Sequence, residues 1–143
     1  MTTLVLLARV GNQTVAFDAT AIESVTDLKT VVPVPFAPDH VHGLSALRSQ
    51  VATVVDCGFA AGGPAGTASG RALVTQIDGH RYALRVDSVE DVVACSIDPL
   101  DTPVAGDTAW NRIATGRIDL GDRFALVVDA VRIVNSHAMQ NMA

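Results

Sequence analysis

Residues 31–56 read V-V-P-V-P-F-A-P-D-H-V-H-G-L-S-A-L-R-S-Q-V-A-T-V-V-D, with Pro33, Pro35 and Pro38 inside six positions and a lone base, Arg48, between two strand-like runs. Proline fixes φ and has no amide proton, so these three exclude a helix and a central strand here. The segment is expected to cross the surface in extended steps, turn near residues 38–40, and pass through Gly43 into strands that end at Asp56. Chain of this kind presents a surface; it does not line a catalytic pocket.

Outward from this stretch, strand signals dominate. Leu4–Val10 and Thr14–Asp18 flank Gly11-Asn12-Gln13, a glycine-containing hairpin loop. Ile22–Val25, Val51–Asp56, Ala72–Ile77, Arg81–Val86, Val92–Ser96, Arg112–Leu120 and Phe124–Asp129 read as further strands, with tight turns at Asp78-Gly79 and Gly121-Asp122. Strands at this spacing predict small β-barrels and not an α/β sheet. Helix is confined to a turn at Ala19–Ala21, a piece around Pro38–His40 and a terminal helix over residues 130–139. The pattern strand, Gly turn, strand, Ile22-Glu23-Ser24-Val25 is echoed by strand, Asp78-Gly79, strand, Val89-Glu90-Asp91-Val92. An internal duplication of this sort points to two similar barrels within one domain spanning 1–143. Gly58–Gly70 (G-F-A-A-G-G-P-A-G-T-A-S-G) has too little bulk to pack and reads as a flexible loop between the halves.

Composition narrows the function. Apolar residues make up 49% of the chain and mean hydropathy is +0.34, yet no apolar run approaches the roughly 20 residues that span a bilayer. Met1–Thr3 carries no positive charge and Leu4–Ala8 is too short for a signal-peptide core, so a cytoplasmic location is expected, without membrane insertion. The apolar surplus goes into the core, with some left for partner surfaces. Net charge is −5 with acids and bases scattered, and aromatics are only 4%; a nucleic-acid partner is disfavoured. Cys57 and Cys95 lack metal or redox spacing and are expected to be reduced and semi-buried.

Chemistry-bearing patterns are few. His40 and His42 would share a face of a strand, but only Asp39 offers a third ligand, so solvated histidines are expected and no metal site is assigned. His80 and His137 stand near no nucleophile motif, and no G-x-S-x-G, H-E-x-x-H or P-loop occurs. The glycines of residues 58–70 are not followed by the Lys-Ser/Thr of a phosphate loop. No catalytic residue, cofactor or enzymatic activity is assigned. Arg48, after Leu44 and Leu47 and before Val51–Val55, is open to three readings: a surface charge, an edge salt bridge or an interface anchor.

The order P-x-x-P, glycine, L-R and an apolar run closing in V-V-D (Pro35, Pro38, Gly43, Leu47, Arg48, Val54, Val55, Asp56) resembles the CheW family of bacterial chemotaxis adaptors. Gly11–Asp18, Tyr82–Val92, Gly116–Asp129 and the terminal N-S-x-x-M of residues 135–139 also fit it, so the resemblance runs from about Leu4 to Met139. It implies an all-β fold of two intertwined SH3-like five-stranded barrels with a groove and a hydrophobic core between them. It implies, too, a scaffold that couples chemoreceptors to their histidine kinase. Such a protein binds the kinase's regulatory domain edge to edge, takes the helical tip of a chemoreceptor into the groove, and is recruited to membrane receptor arrays. The partner-binding residues expected on this basis are Val34, Phe36, Val41, Gly43, Leu44 and Arg48, the apolar ones supplying buried area and Arg48 orientation.

The chain departs from the family pattern at four positions. Ser24 stands where a glutamate thought to pair with the arginine is usual, with Glu23 one residue early and therefore on the opposite face of a strand. Ala46 replaces an asparagine, Ser49 a glycine and Thr53 a proline. An alternative function follows from these changes: a divergent CheW-like module whose surface serves another signalling or motility partner.

Overall fold

The computed structural model describes residues 2–28, 31–33, 41–47, 50–61, 70–100 and 108–135. Pro35, Pro38, the predicted turn at 38–40, residues 62–69 of the glycine-rich segment and the end of the predicted terminal helix lie outside the described residues. Eleven strands among the described residues form two curled sheets.

The first sheet has the order β8-β1-β2-β11-β10-β9, built from β1 (Thr3–Val10), β2 (Gln13–Asp18), β8 (Ser88–Cys95), the two-residue β9 (Asp98–Pro99), β10 (Ala114–Asp119) and β11 (Phe124–Val128). The second has the order β3-β6-β7-β5-β4, from β3 (Ser24–Leu28), β4 (Val41–Leu47), β5 (Gln50–Asp56), β6 (Gly70–Ile77) and β7 (His80–Val86). The fold is thus all-β with two intertwined barrel subdomains, and β9 adds a short edge to the first.

The intertwining follows from a reciprocal exchange. Hairpin β1–β2 belongs to the first sheet, but the next strand, β3, crosses to pair with β6 of the second. Hairpin β6–β7 belongs to the second, but β8 crosses to pair with β1 of the first. The registers correspond: Leu6 faces Val92 in one crossing and Leu73 faces Val25 in the other. Each hairpin is closed by a parallel strand from the other half, β11 on β2 through Val127↔Ala16 and β5 on β7 through Val54↔Ala83. The echo of Ile22–Val25 in Val89–Val92 is therefore a true structural duplication.

Exchange buries the hairpins on both faces, which explains the apolar surplus. A strand with one wet face alternates, as β10 does, buried and exposed in turn. Val5–Ala8, Val15–Phe17, Ala72–Thr75, Ala83–Val86 and Ala125–Val128 are instead buried without interruption. In β1, Leu6, Ala8 and Val10 point into a core shared between the barrels with Phe17, Val55, Leu73, Leu84 and Val128. Val5 and Leu7 point the other way, into the interior of the first barrel with Ala16, Ile118, Ala125 and Val127. Ala52, Val54, Ala72 and Ala83 fill the second barrel.

Three local expectations are corrected. Arg112 and Ile113 end the helix α2 (Thr108–Ile113) and do not begin a strand. Ala109 and Ile113, both buried, stand four apart and share a helical face toward the shared core. β8 starts at Ser88 and not at Val92, because a bulge at Leu7/Ala8 lets Val89 and Ser88 continue along β1. The chain leaves β5 in a helical turn, α1 (Cys57–Ala60), where Gly58 had suggested a loop. The 3-10 turn at Ala19–Ala21 stands where predicted, and helix α3 spans Ala130–Val134.

Gly43 sits at the bulge of β4, with φ at +146° and the backbone of Val32 and Pro33 close against it. A Cβ there would lie 2.2 Å from the carbonyl oxygen of Val32, which accepts from the Leu44 amide. Both backbone conformation and space forbid a side chain. Gly43→Ala is expected to cost about 3 kcal/mol by breaking the Val32–Leu44 bridge, read as a lower midpoint in urea unfolding.

Candidate functional site

A cleft of about 590 Å³ opens where the first barrel meets the 3-10 turn and the end of β6. Its walls are apolar and hydroxylic, with Ile22, Ile77, Ile97, Val131, Thr75 and Thr115 among them. Asp18, Glu23 and Asp129 supply its charge. Local sequence sets this geometry. Asp18 ends β2 in extended conformation and its Oδ1 accepts from the Thr20 amide (2.9 Å) and hydroxyl (2.7 Å), which winds Ala19–Ala21 into a 3-10 turn. Asp129 does the same for α3, its Oδ1 accepting from the Val131 amide at 3.0 Å. The turn is tied to the second sheet by the Thr75 hydroxyl donating to the Ala21 carbonyl (2.7 Å) and the Glu23 amide donating to the Val74 carbonyl (2.7 Å). Glu23 pairs with Arg81 at 3.3 Å on the exposed side.

The opposite end of the molecule carries a different polar arrangement. Asp56, 1% exposed, faces Arg85 across the β5–β7 pair, Oδ2 to Nη1 4.0 Å. Arg85 also donates to Asp87 Oδ1 at 3.2 Å, and Asp87 Oδ2 accepts from the Gly11 amide at 2.7 Å. This chain of contacts joins the second sheet to the hairpin turn of the first. Cys57 follows Asp56 into the shared core; burial, reinforced by the neighbouring Asp56 carboxylate, pushes its thiol well above the ordinary range. Desolvation raises Cys95 as well. Neither fits a reactive thiolate.

Of the residues expected from sequence to bind partners, Val34, Phe36 and Arg48 lie outside the described residues. Val41 is half-buried and packs against the shared core, and Gly43 is buried. Leu44 is exposed on β4, the terminal strand of its sheet, cross-strand from Thr53, with Ala46 opposite Val51. Leu44, Ala46 and Val51 therefore share a face, and Val51 is 61% exposed. Val32, 60% exposed, bridges the outer side of β4. Ser24 is exposed on β3. His40, Asp39, Ser49 and His137 lie outside the described residues, and no group of three or more metal-ligating side chains occurs among the described ones.

The resemblance implied a groove between the barrels, but the residues that line this cleft were not found from sequence, because its walls come from both ends of the chain and from the strand exchange. One signal was available. V-V-D occurs twice, at Val54–Asp56 and Val127–Asp129, each time running into a helical turn.

Two curled β-sheets exchanging one strand each around a common core, with a cleft between them, define a double-barrel β fold. The chain belongs to the CheW-like domain family, whose model matches residues 4–138. That family consists of chemotaxis scaffolds and adaptors, not enzymes. Among solved structures, the fold is similar to that of the scaffolding protein TtCheW from Thermoanaerobacter tengcongensis, with a TM-score of 0.78, 19% identity and 90% of each chain covered. No curated protein matches. No helix among the described residues is long and apolar enough to cross a membrane.

The buried thiol gives a test of the shared core. Folding holds the proton on Cys57, so above the ordinary thiol pKa of about 8.5 the unfolded chain releases a proton that the folded chain keeps. The folded pKa is the raised one, so its contribution is present below that pH and is lost as pH rises. Stability should fall by about 1.4 kcal/mol per pH unit there from this group. Cys57→Ala should lose that part of the slope, measured by urea unfolding between pH 7.5 and 10.

Proposed function

We propose that this protein couples chemoreceptors to a chemotaxis histidine kinase, binding each through a different surface. The observation that carries this reading is the open cleft between the barrels in a chain of the CheW-like family. A cleft lined by Ile22, Ile77, Ile97 and Val131 suits the apolar face of a helix, the form in which an amphipathic segment docks in a groove. Val131, 44% exposed, adds apolar surface at its rim. The chemoreceptor's cytoplasmic helical tip is the occupant we assign to it.

The kinase's regulatory domain is assigned to the end of the second sheet. Strand β4, with Leu44 and Val51 exposed on one face and the exposed Val32 bonded along its outer side, offers apolar area for packing against another barrel. Val34, Phe36 and Arg48, on the same stretch of sequence, are proposed to complete this partner-binding region, with Arg48 as the orienting charge. A protein in this role works on the cytoplasmic side of a receptor array and uses no cofactor.

Co-sedimentation with membranes carrying the receptor and kinase of the same organism tests the assignment. Val131→Glu places a charge in an apolar docking site and should cut receptor recruitment about tenfold or more. Arg48→Glu should weaken recruitment into receptor–kinase arrays without unfolding the protein. Recruitment equal to wild type in both variants would remove the two assigned surfaces. Recovery of other signalling or motility proteins, and of no receptor or kinase, in a pull-down from the native cell would favour the divergent-module alternative.

A further inference from the structure

The same short device lies along the outer strand of each barrel. In the second sheet, β4 bulges between Val41 and Gly43, then sets Gly43 opposite Val54 and Leu44 opposite Thr53. In the first, β10 bulges between Ala114 and Gly116, then sets Gly116 opposite Val127 and Arg117 opposite Leu126. Beside Leu44 lies Val32, the middle of V-V-P (31–33); beside Arg117 lies Asp98, the middle of I-D-P (97–99). The Val32 amide donates to the Leu44 carbonyl at 2.8 Å and the Leu44 amide to the Val32 carbonyl at 2.9 Å. Pro99 has no amide proton, so the ladder bonds between β9 and β10 fall in the same way to Asp98 with Arg117.

A glycine makes room for each strap. On Gly116 a Cβ would lie 2.7 Å from Ile97 Cγ2 and 3.0 Å from the Asp98 carbonyl oxygen, as one on Gly43 would meet Val32. Gly116 does not have a positive φ, so the approach of the strap alone demands glycine there. Successive residues of a strand turn their backbone groups to opposite sides. With Val32 and Asp98 bonded inward, the outward groups belong to Val31 and Pro33 on one strap and to Ile97 and Pro99 on the other. In both, proline removes one of the two outward donors. Val32, Pro33, Asp98 and Pro99 are all exposed, so the straps form the outer margin of each sheet. The side chains differ in character between the halves, valine against aspartate and leucine against arginine. What is repeated is the backbone arrangement.

We infer that Val32-Pro33 and Asp98-Pro99 are edge seals: they occupy the hydrogen-bonding side of β4 and β10 and end in proline, so that no strand of a second copy of this chain adds there. An open edge strand is a template for such addition. Contacts at these two ends therefore go through side chains, and the inference does not depend on the partners assigned above.

The test opens one seal in the full-length protein and follows it by backbone hydrogen exchange and light scattering over a concentration series. Asp98→Pro removes the amide that bonds Arg117, and Gly116→Val crowds the strap while giving β10 a residue that strands favour. In this double variant the Arg117 amide should exchange about tenfold faster or more at low concentration. It should regain protection as concentration rises and dimers form. Adding Arg117→Pro removes that donor, which faces the strap and not β11, and should restore the wild-type mass at every concentration. Three results would each overturn the seal: an Arg117 amide still protected at low concentration, an exposed amide with no association at high concentration, or association that survives Arg117→Pro. Pro33→Val with Pro99→Val leaves both straps in place and returns an outward donor to each end, so it should grow beyond a dimer with concentration. Wild-type mass in that variant overturns the role given to the prolines. If the opened variant does not unfold cooperatively, the proline pair decides the matter alone.

Discussion

The structure depends on one constraint: each central hairpin is buried on both of its faces. Leu6, Ala8 and Val10 of β1 face the core shared by the barrels while Val5 and Leu7 face the interior of their own barrel, and Leu73 and Ala72 divide in the same way on β6. A hairpin with no wet face cannot be stable alone. The two halves must fold against each other, and the exchanged strands β3 and β8 make that dependence covalent. Fully buried runs such as Val15–Phe17 and Ala125–Val128 are its direct expression in composition.

The same exchange creates both ends of the molecule. At one end, the chain leaving β7 is held by Arg85, Asp87 and the Gly11 amide. At the other, the chain leaving β2 is wound by the Asp18 cap into a 3-10 turn, and the mouth stays open. Two copies of one substructure thus serve different purposes: a buried ion pair joins the sheets, and an acidic-ended cleft faces solvent. A buried pair of this kind contributes little net stability, since desolvation offsets the attraction. Its value here lies in fixing how the hairpins meet.

Much of the fold was legible. Strand after strand carried its own turn, at Gly11, at Asp78-Gly79 and at Gly121-Asp122, and local φ preferences at those positions act without reference to the rest of the chain. The misreadings were of a local kind too. Arg112 and Ile113 run into the following strand with no turn signal between, whereas Ala109 and Ile113 are spaced for a helix face. The candidate site was less legible. Asp18, Ile77, Ile97 and Val131 are scattered over the whole chain, and their residue types are ordinary for turns and core edges.

The amino-acid sequence by itself determined the all-β class, the turns, the duplication and the membership in a family of adaptors, because these follow from short-range periodicity, backbone preference and motif order. Tertiary structure alone decided which strands change barrels, where the cleft opens and which carboxylates line it. Those outcomes turn on pairings between residues tens of positions apart, such as Asp56 with Arg85 and Thr75 with Ala21. A single aspartate or arginine in a sequence gives no sign of the partner that folding will set beside it.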